Sequence, residues 1–549
     1  MTDRFADIES RLRRLGPWLA AVAAVMVVWF MWGDARPVYH DEDSYVLQAE
    51  IFARGRWTVP TPPLPEFFEQ PHVLSVPAVA SKYPPGHALL LSGGARAGWV
   101  ALAPLLLTAI ASALLFALTA RVTNAWIALT AWLLWITAPI VLRYQPSYFS
   151  QVTTTACILG SFWSLLRWRE TGRRAWMLVM ALAIAFGGIT RPVSMLAFAI
   201  PLGVVVIGEC SRRRAWTDLG AGIAIGLAVV AILPLWAQNT TGSWKETPVS
   251  VYRRQYLPFD KLGFSVDTTP PSRSLTPVVN EMYEEFRALR ERQTLAALPA
   301  IVGDRISHLA EQVFSGWKKL LVPFMLLGVL AAPAVLRTAA AGALLLFIAH
   351  VPYGHEASWT VYYLETVPVL AVLTACGVWA AGAWLAGARA RERIFAAAEP
   401  RLAAAVSLFF CVLVVAQAPS TLSTWRSRRA ATIQGARHFT QLIRSLPEEP
   451  AIVFVRYSAD RPHWVNMVHN HTDIMGESVW VVHDLRAHNR ALARLAPGRA
   501  TYLFDEADMR LLPYPVHALS GNASGAGDPP MRRVPDARGL PETSRRPRT

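Results

Sequence analysis

The feature that most limits what this chain can fold into is its succession of long apolar blocks. They run over Gly16–Trp32, Trp99–Ala120, Trp126–Leu142, Phe149–Leu166, Ala175–Ile189, Val193–Ile207 and Leu219–Trp236, then over Leu320–Leu336, Ala339–His350, Val361–Leu385 and Leu402–Ala416. A helix crosses a bilayer with ~20 apolar residues, so the pattern predicts a mainly α, polytopic membrane protein of about eleven transmembrane helices. Composition agrees: 17% of the 549 residues are charged, against ~25% for a soluble globular domain.

Charge placement supplies the topology. The net charge is +15, but the arginines flank apolar blocks instead of forming one patch, and no nucleic-acid motif is visible. Arg121, then Arg167, Arg169, Arg173 and Arg174, then Arg212–Arg214, Arg337, and finally Arg389, Arg391 and Arg393 occupy alternate loops. Positive charge stays on the cytoplasmic side. The N-terminus is therefore predicted inside, with Gly16–Trp32 as an uncleaved signal anchor, and the C-terminus outside. Cys157, Cys210, Cys376 and Cys411 lie in or beside apolar blocks without metal-ligand spacing and read as small hydrophobes.

The reading divides the chain into three parts. Residues 1–418 form the membrane domain, with outer loops 33–82 and 238–316. Residues 419–519 form a small periplasmic α/β domain, in which AIVFVRY, SVWVVHDL and ATYLFDE read as short buried strands. Residues 520–549, rich in Gly, Pro, Arg and Ser, read as a disordered tail. Prolines from Pro60 onward argue against a regular helix through most of loop 33–82, and Gly86–Gly94 is too short to span.

Beyond the first span come His40-Asp41-Glu42-Asp43-Ser44-Tyr45, and the same loop closes on Lys82-Tyr83-Pro84-Pro85-Gly86. Three readings compete for the acids: a solvated helix end, an Asp-x-Asp metal site, and a base at the membrane surface. A carboxylate near a cation suits sugar transfer from a phosphate, since one takes the acceptor proton and the other stabilises the leaving group; the alternative for Lys82 is simple snorkelling to the interface.

HDEDSYVLQAEIFARGR followed by SKYPPGHALLL resembles the first outer loop of membrane glycosyltransferases of the C-type fold, in particular bacterial relatives of glycosyltransferase family 39. That family includes protein O-mannosyltransferases and lipid A aminoarabinose transferases. GGITRPVSML, TGSWKETPVSVYRRQYLPFD and VYYLETVPVL extend the likeness. The resemblance implies Asp41 as general base and Glu42 as the residue orienting acceptor or donor sugar. It implies Lys82 and Tyr83 as ligands of a polyprenyl-phosphate donor, with inversion at the anomeric carbon and a bacterial inner-membrane location. Asp43 departs from the family pattern, which leaves open whether it binds metal.

Arg143 and Arg191 each follow an apolar block on the outer side and are candidate phosphate ligands, because a cation there is costly without a partner. Glu69, His72, His355, Glu356 and Tyr362 are candidate lining residues, and loop contacts explain Glu69, His72, His355 and Glu356 equally well. Arg253 and Arg254 meet either phosphate or water. No cofactor is indicated by the sequence and a divalent metal stays open; the acceptor is not legible. The competing class is a transporter or lipid flippase, whose mark would be ionisable residues in mid-span.

Overall fold

The computed structural model describes residues 2–387, 401–458, 466–469 and 471–516. Every apolar block falls on helix. Among the described residues six helices are long and apolar enough to cross a membrane, or seven if the bent pair Leu298–Val313 and Gly316–Ala331, 116° apart, is one span. The other apolar blocks lie on shorter helices, such as Ala125–Ile136 and Ala334–His350, or on the more polar Gln151–Thr171.

Prolines set several boundaries that periodicity alone misplaces. The block Trp126–Leu142 is two helices, Ala125–Ile136 and Pro139–Tyr144, because Pro139 has no N–H to continue the first. The block Leu320–Leu336 is interrupted likewise before Ala334–His350 begins behind Pro333. Where two helices touch most closely the sequence has glycine: a Cβ on Gly328 would strike the Leu373 carbonyl, and one on Gly377 the Phe324 carbonyl. Small residues let backbones approach where lipid offers no hydrophobic drive between helices.

The Pro-rich loop is more ordered than its composition suggests. Its acids open a helix, His40–Ala53, whose first turn carries Asp41, Glu42 and Asp43, where negative charge meets the positive end of the helix dipole. The prolines come later, around a three-stranded antiparallel sheet with Ala78–Ser81 between Val59–Pro60 and Val73–Leu74. Gly86–Arg96 is a short helix packed on His40–Ala53. Segment 238–316 likewise contains helices Pro248–Tyr256, Pro277–Arg292 and Leu298–Val313.

Near the C-terminus a four-stranded sheet is ordered Val479–His483, Ala451–Arg456, Ala500–Asp505, Arg510–Pro513, with the first two pairings parallel and the last antiparallel. Its inner strand Ala451–Arg456 is apolar and buried up to the closing arginine because both faces are covered. The junction drawn at residue 419 falls inside a continuous helix, Arg401–Thr432, which carries Pro419 in its interior. This sheet shares a core with the first loop: Leu47, Ile51, Phe67 and Phe68 pack with Ile452, Phe454, Trp480 and Val482. Phe67 meets Phe454 and Phe68 meets Trp480 edge to face, at centroid distances of 6.3 and 5.9 Å. Tail residues 520–549 and Arg389, Arg391 and Arg393 lie outside the described residues.

Candidate active site

Successive helical residues point roughly 100° apart, so the three acids at the start of His40–Ala53 cannot share one surface. Asp41 faces a cavity of about 410 Å³ between the membrane helices and the loops. Glu42 is wholly buried and is not part of that wall. Asp43 faces a second cavity, beside the C-terminal sheet, with His469 Nδ1 3.3 Å from its carboxylate. The structure thus separates a cluster that the sequence presents as one.

Around Asp41 the contacts are dense. The Tyr83 hydroxyl donates to its carboxylate. His40 Nδ1 lies 3.3 Å away and His72 Nε2 3.6 Å away. Burial alone would raise the Asp41 pKa, but His72, His40 and the Tyr83 hydroxyl outweigh it and hold the carboxyl below the usual carboxylate range. The same burial, with Asp41 as neighbour, raises Tyr83 well above an ordinary tyrosine, so it stays a donor. Its ring stacks on Tyr45 at 4.7 Å.

His72 reaches the site through an unusual backbone. Its φ of 65° is left-handed, and three hydrogen bonds fix it there. Lys82 N and Ser44 Oγ donate to its carbonyl at 3.0 and 2.9 Å, and its own N–H donates to Tyr252 Oη at 2.9 Å. Lys82 is thereby held on the same wall, with Nζ 4.7 Å from the Tyr252 ring centroid and 5.2 Å from that of Tyr83. Burial lowers the Lys82 pKa, and Asp260 and Asp41 oppose that shift.

Two arginines enter the cavity from other helices. Arg143 donates to Tyr39 Oη at 3.2 Å and lies 4.9 Å from the Tyr144 ring centroid. Arg191 precedes Pro192–Arg213 and pairs with Glu365 at 3.0 Å. Tyr362, Arg253 and Asp260 complete the wall. Asp41, Lys82, Tyr83, Arg143, Arg191, His72 and Tyr362 therefore meet around one space.

The remaining candidates do not reach it. Glu42 accepts backbone hydrogen bonds, and burial pushes its pKa up to about 7. Glu69 sits behind the loop, taking hydrogen bonds from Tyr256 Oη and Arg273 Nη2 at 3.1 Å each, and burial raises it to about 7. His355 contacts the Tyr363 hydroxyl at 3.1 Å and the Glu356 carbonyl at 2.8 Å, and burial lowers its pKa to about 3. Neither His355 nor Glu356 is in the cavity wall. Arg254 turns to Glu246 instead, at 2.8 Å.

Sequence reasoning gave no role to His40, Tyr39, Asp260 or Glu365. Glu365 had a usable signal, since an acid inside an apolar block requires a partner. Among the described residues, the donor atoms of His40, Asp41 and His72 lie within 4.8 Å of one another. Two imidazoles and a carboxylate form a donor set that suits a divalent transition metal.

With this geometry in hand, the relationship to known proteins is specific in its extent. Residues 84–237 match the family model described as dolichyl-phosphate-mannose-protein mannosyltransferase. The resemblance is shown for that stretch. It contains Arg143 and Arg191 and begins directly after Tyr83, so Asp41, Lys82 and Tyr83 lie outside it.

Among solved structures, the chain is similar to ArnT from Cupriavidus metallidurans bound to undecaprenyl phosphate. Identity is 15% over 89% of this chain and 93% of that one, with a TM-score of 0.49. It is also similar to the Archaeoglobus fulgidus oligosaccharyltransferase, at 14% identity over 83% and 64% of the chains and a TM-score of 0.44. For the arabinosyltransferase EmbB from Mycobacterium smegmatis the values are 12%, 78%, 41% and 0.41. No curated protein matches the chain.

Proposed function

We propose that this protein is an inverting glycosyltransferase that moves a sugar from a polyprenyl-phosphate carrier to an acceptor on the periplasmic side of the bacterial inner membrane. The observation that carries this reading is the single cavity in which Asp41 faces Lys82, Arg143 and Arg191. A family match over residues 84–237 supports it.

The acceptor hydroxyl attacks the anomeric carbon while Asp41 takes its proton. The bond from that carbon to the phosphate oxygen breaks, and the electron pair leaves with polyprenyl phosphate. Arg191, Arg143 and Lys82 offset the charge that grows on that phosphate, the arginines with planar donor pairs suited to it. Single displacement inverts the carbon and requires no covalent intermediate on the enzyme. Tyr83 donates to the carboxylate and keeps it aimed into the cavity.

His40, Asp41 and His72 would hold a divalent cation if one binds, and it would add positive charge beside the reacting groups. In this reading eleven spans place the N-terminus in the cytoplasm and the C-terminal sheet outside the membrane. Purified protein incubated with undecaprenyl phosphate carrying a hexose or a pentose tests the proposal by release of undecaprenyl phosphate.

A further inference from the structure

The middle acid of the opening helix turn has its back to the cavity, yet three backbone N–H groups hold it. Glu42 Oε1 accepts from the backbone N–H groups of Val38 and Tyr39, both at 3.3 Å, and its Oε2 accepts from Tyr148 N at 2.9 Å. The opposing charge is Arg429, near the end of Arg401–Thr432. Arg429 is itself fixed, since Nε donates to the Trp32 carbonyl and Nη2 to the Arg36 carbonyl, each at 3.3 Å.

These partners belong to the pieces that build the cavity. Tyr39 immediately precedes the helix bearing Asp41, and its hydroxyl receives Arg143. Tyr148 precedes Phe149, which lines the cavity, and its carbonyl lies 2.8 Å from His87 Nε2. A wholly buried carboxylate is expensive unless its lone pairs are filled. Packing alone would be served at lower cost by an apolar residue. Three backbone donors from two separate segments are what a carboxylate can join and an apolar side chain cannot.

We propose that Glu42 is a positioning residue that locks the Asp41 helix to the Arg143–Phe149 segment and so sets where the base stands relative to the donor phosphate. This rests on the reading of Asp41 as base. Glu42 touches no substrate. A glutamine in its place keeps the shape but turns an N–H toward a backbone N–H, which leaves at least one of the three donors unpaired.

The test measures turnover of undecaprenyl-phosphate sugar together with the affinity for undecaprenyl phosphate. Misplacing a base by about 1 Å costs on the order of 10²-fold. Glu42→Gln should lose roughly 10- to 100-fold in kcat but much less in affinity for undecaprenyl phosphate, because Lys82 and Arg191 stay in place and only Arg143 shifts. Glu42→Asp keeps the charge and should recover part of the loss.

Wild-type kcat in Glu42→Gln, or turnover and affinity falling together, overturns the inference. If Glu42→Gln does not fold, Arg429→Gln takes its place: reduced kcat at unchanged affinity supports the inference and unchanged kcat overturns it. A wild-type protein inactive with every donor would instead remove the transferase reading itself.

Discussion

Arg191 and Glu365 form an ion pair at 3.0 Å in which the glutamate side chain is fully enclosed and the arginine is 17% exposed. The guanidinium thus enters the cavity with its charge already half-answered, and a bound phosphate would complete the set. Removing one partner of a buried pair costs ~3–5 kcal/mol because the other charge is stranded. Glu365→Gln should therefore lower the melting temperature of the detergent-solubilised protein. Undecaprenyl phosphate should restore more of that loss than it adds to wild type, since the lipid phosphate supplies the missing charge. Equal shifts in both proteins would place Arg191 outside the phosphate site.

Lys82 sets a pH dependence whose sign is fixed by its burial. The folded protein disfavours the charged ammonium, so the lysine loses its proton at a lower pH than an ordinary lysine. Affinity for undecaprenyl phosphate should accordingly fall as pH rises through that lowered value and stay level below it. Lys82→Arg, which remains charged, should abolish this alkaline loss. The titration of binding between neutral and strongly alkaline pH checks both curves.

Contact between backbones at Gly328 and Gly377 joins Val322–Ala331 to Val367–Leu385. Gly328→Val has nowhere to place its methyl groups except against the Leu373 carbonyl. A loss of at least ~1–3 kcal/mol is expected from such overpacking, read as a lower melting temperature. Gly93→Ala should change little in comparison, because nothing lies within 4 Å of its would-be Cβ.

His40, Asp41 and His72 make a checkable claim about metal. Elemental analysis of protein loaded with zinc or manganese and then desalted should find close to one ion per chain. His72→Ala should retain little. Equal metal content in the two proteins would assign the ion to other residues.

Much of this was readable from the sequence, and the parts that were not share a cause. Apolar length showed the helices because burial in lipid is a composition-level constraint, and Pro139 and Pro333 then moved boundaries that composition cannot see. The loop motifs pointed to Asp41 and Lys82 because they open and close one outer loop that resembles that of a known family. Which way each acid points was hidden, since adjacent residues on a helix diverge and only the partners decide their roles: Tyr83 for Asp41, the Tyr148 N–H for Glu42, His469 for Asp43. Glu69 and His355 misled for the same reason. Their neighbours keep them occupied behind the wall: Arg273 reaches Glu69 from the distant segment 238–316, and Tyr363 meets His355 from the next helical turn. Positions such as Asp260 became visible only when segment 238–316 folded back over the cavity.

The central claim is that Asp41 is the base that drives release of the lipid carrier. Its most direct test compares wild type with Asp41→Asn in the release of undecaprenyl phosphate from a sugar-bearing undecaprenyl phosphate, at saturating donor. A fall of roughly 10²-fold or more, the range expected for losing a positioned base, with affinity for undecaprenyl phosphate retained, is the predicted result. Turnover by Asp41→Asn equal to wild type would contradict the account.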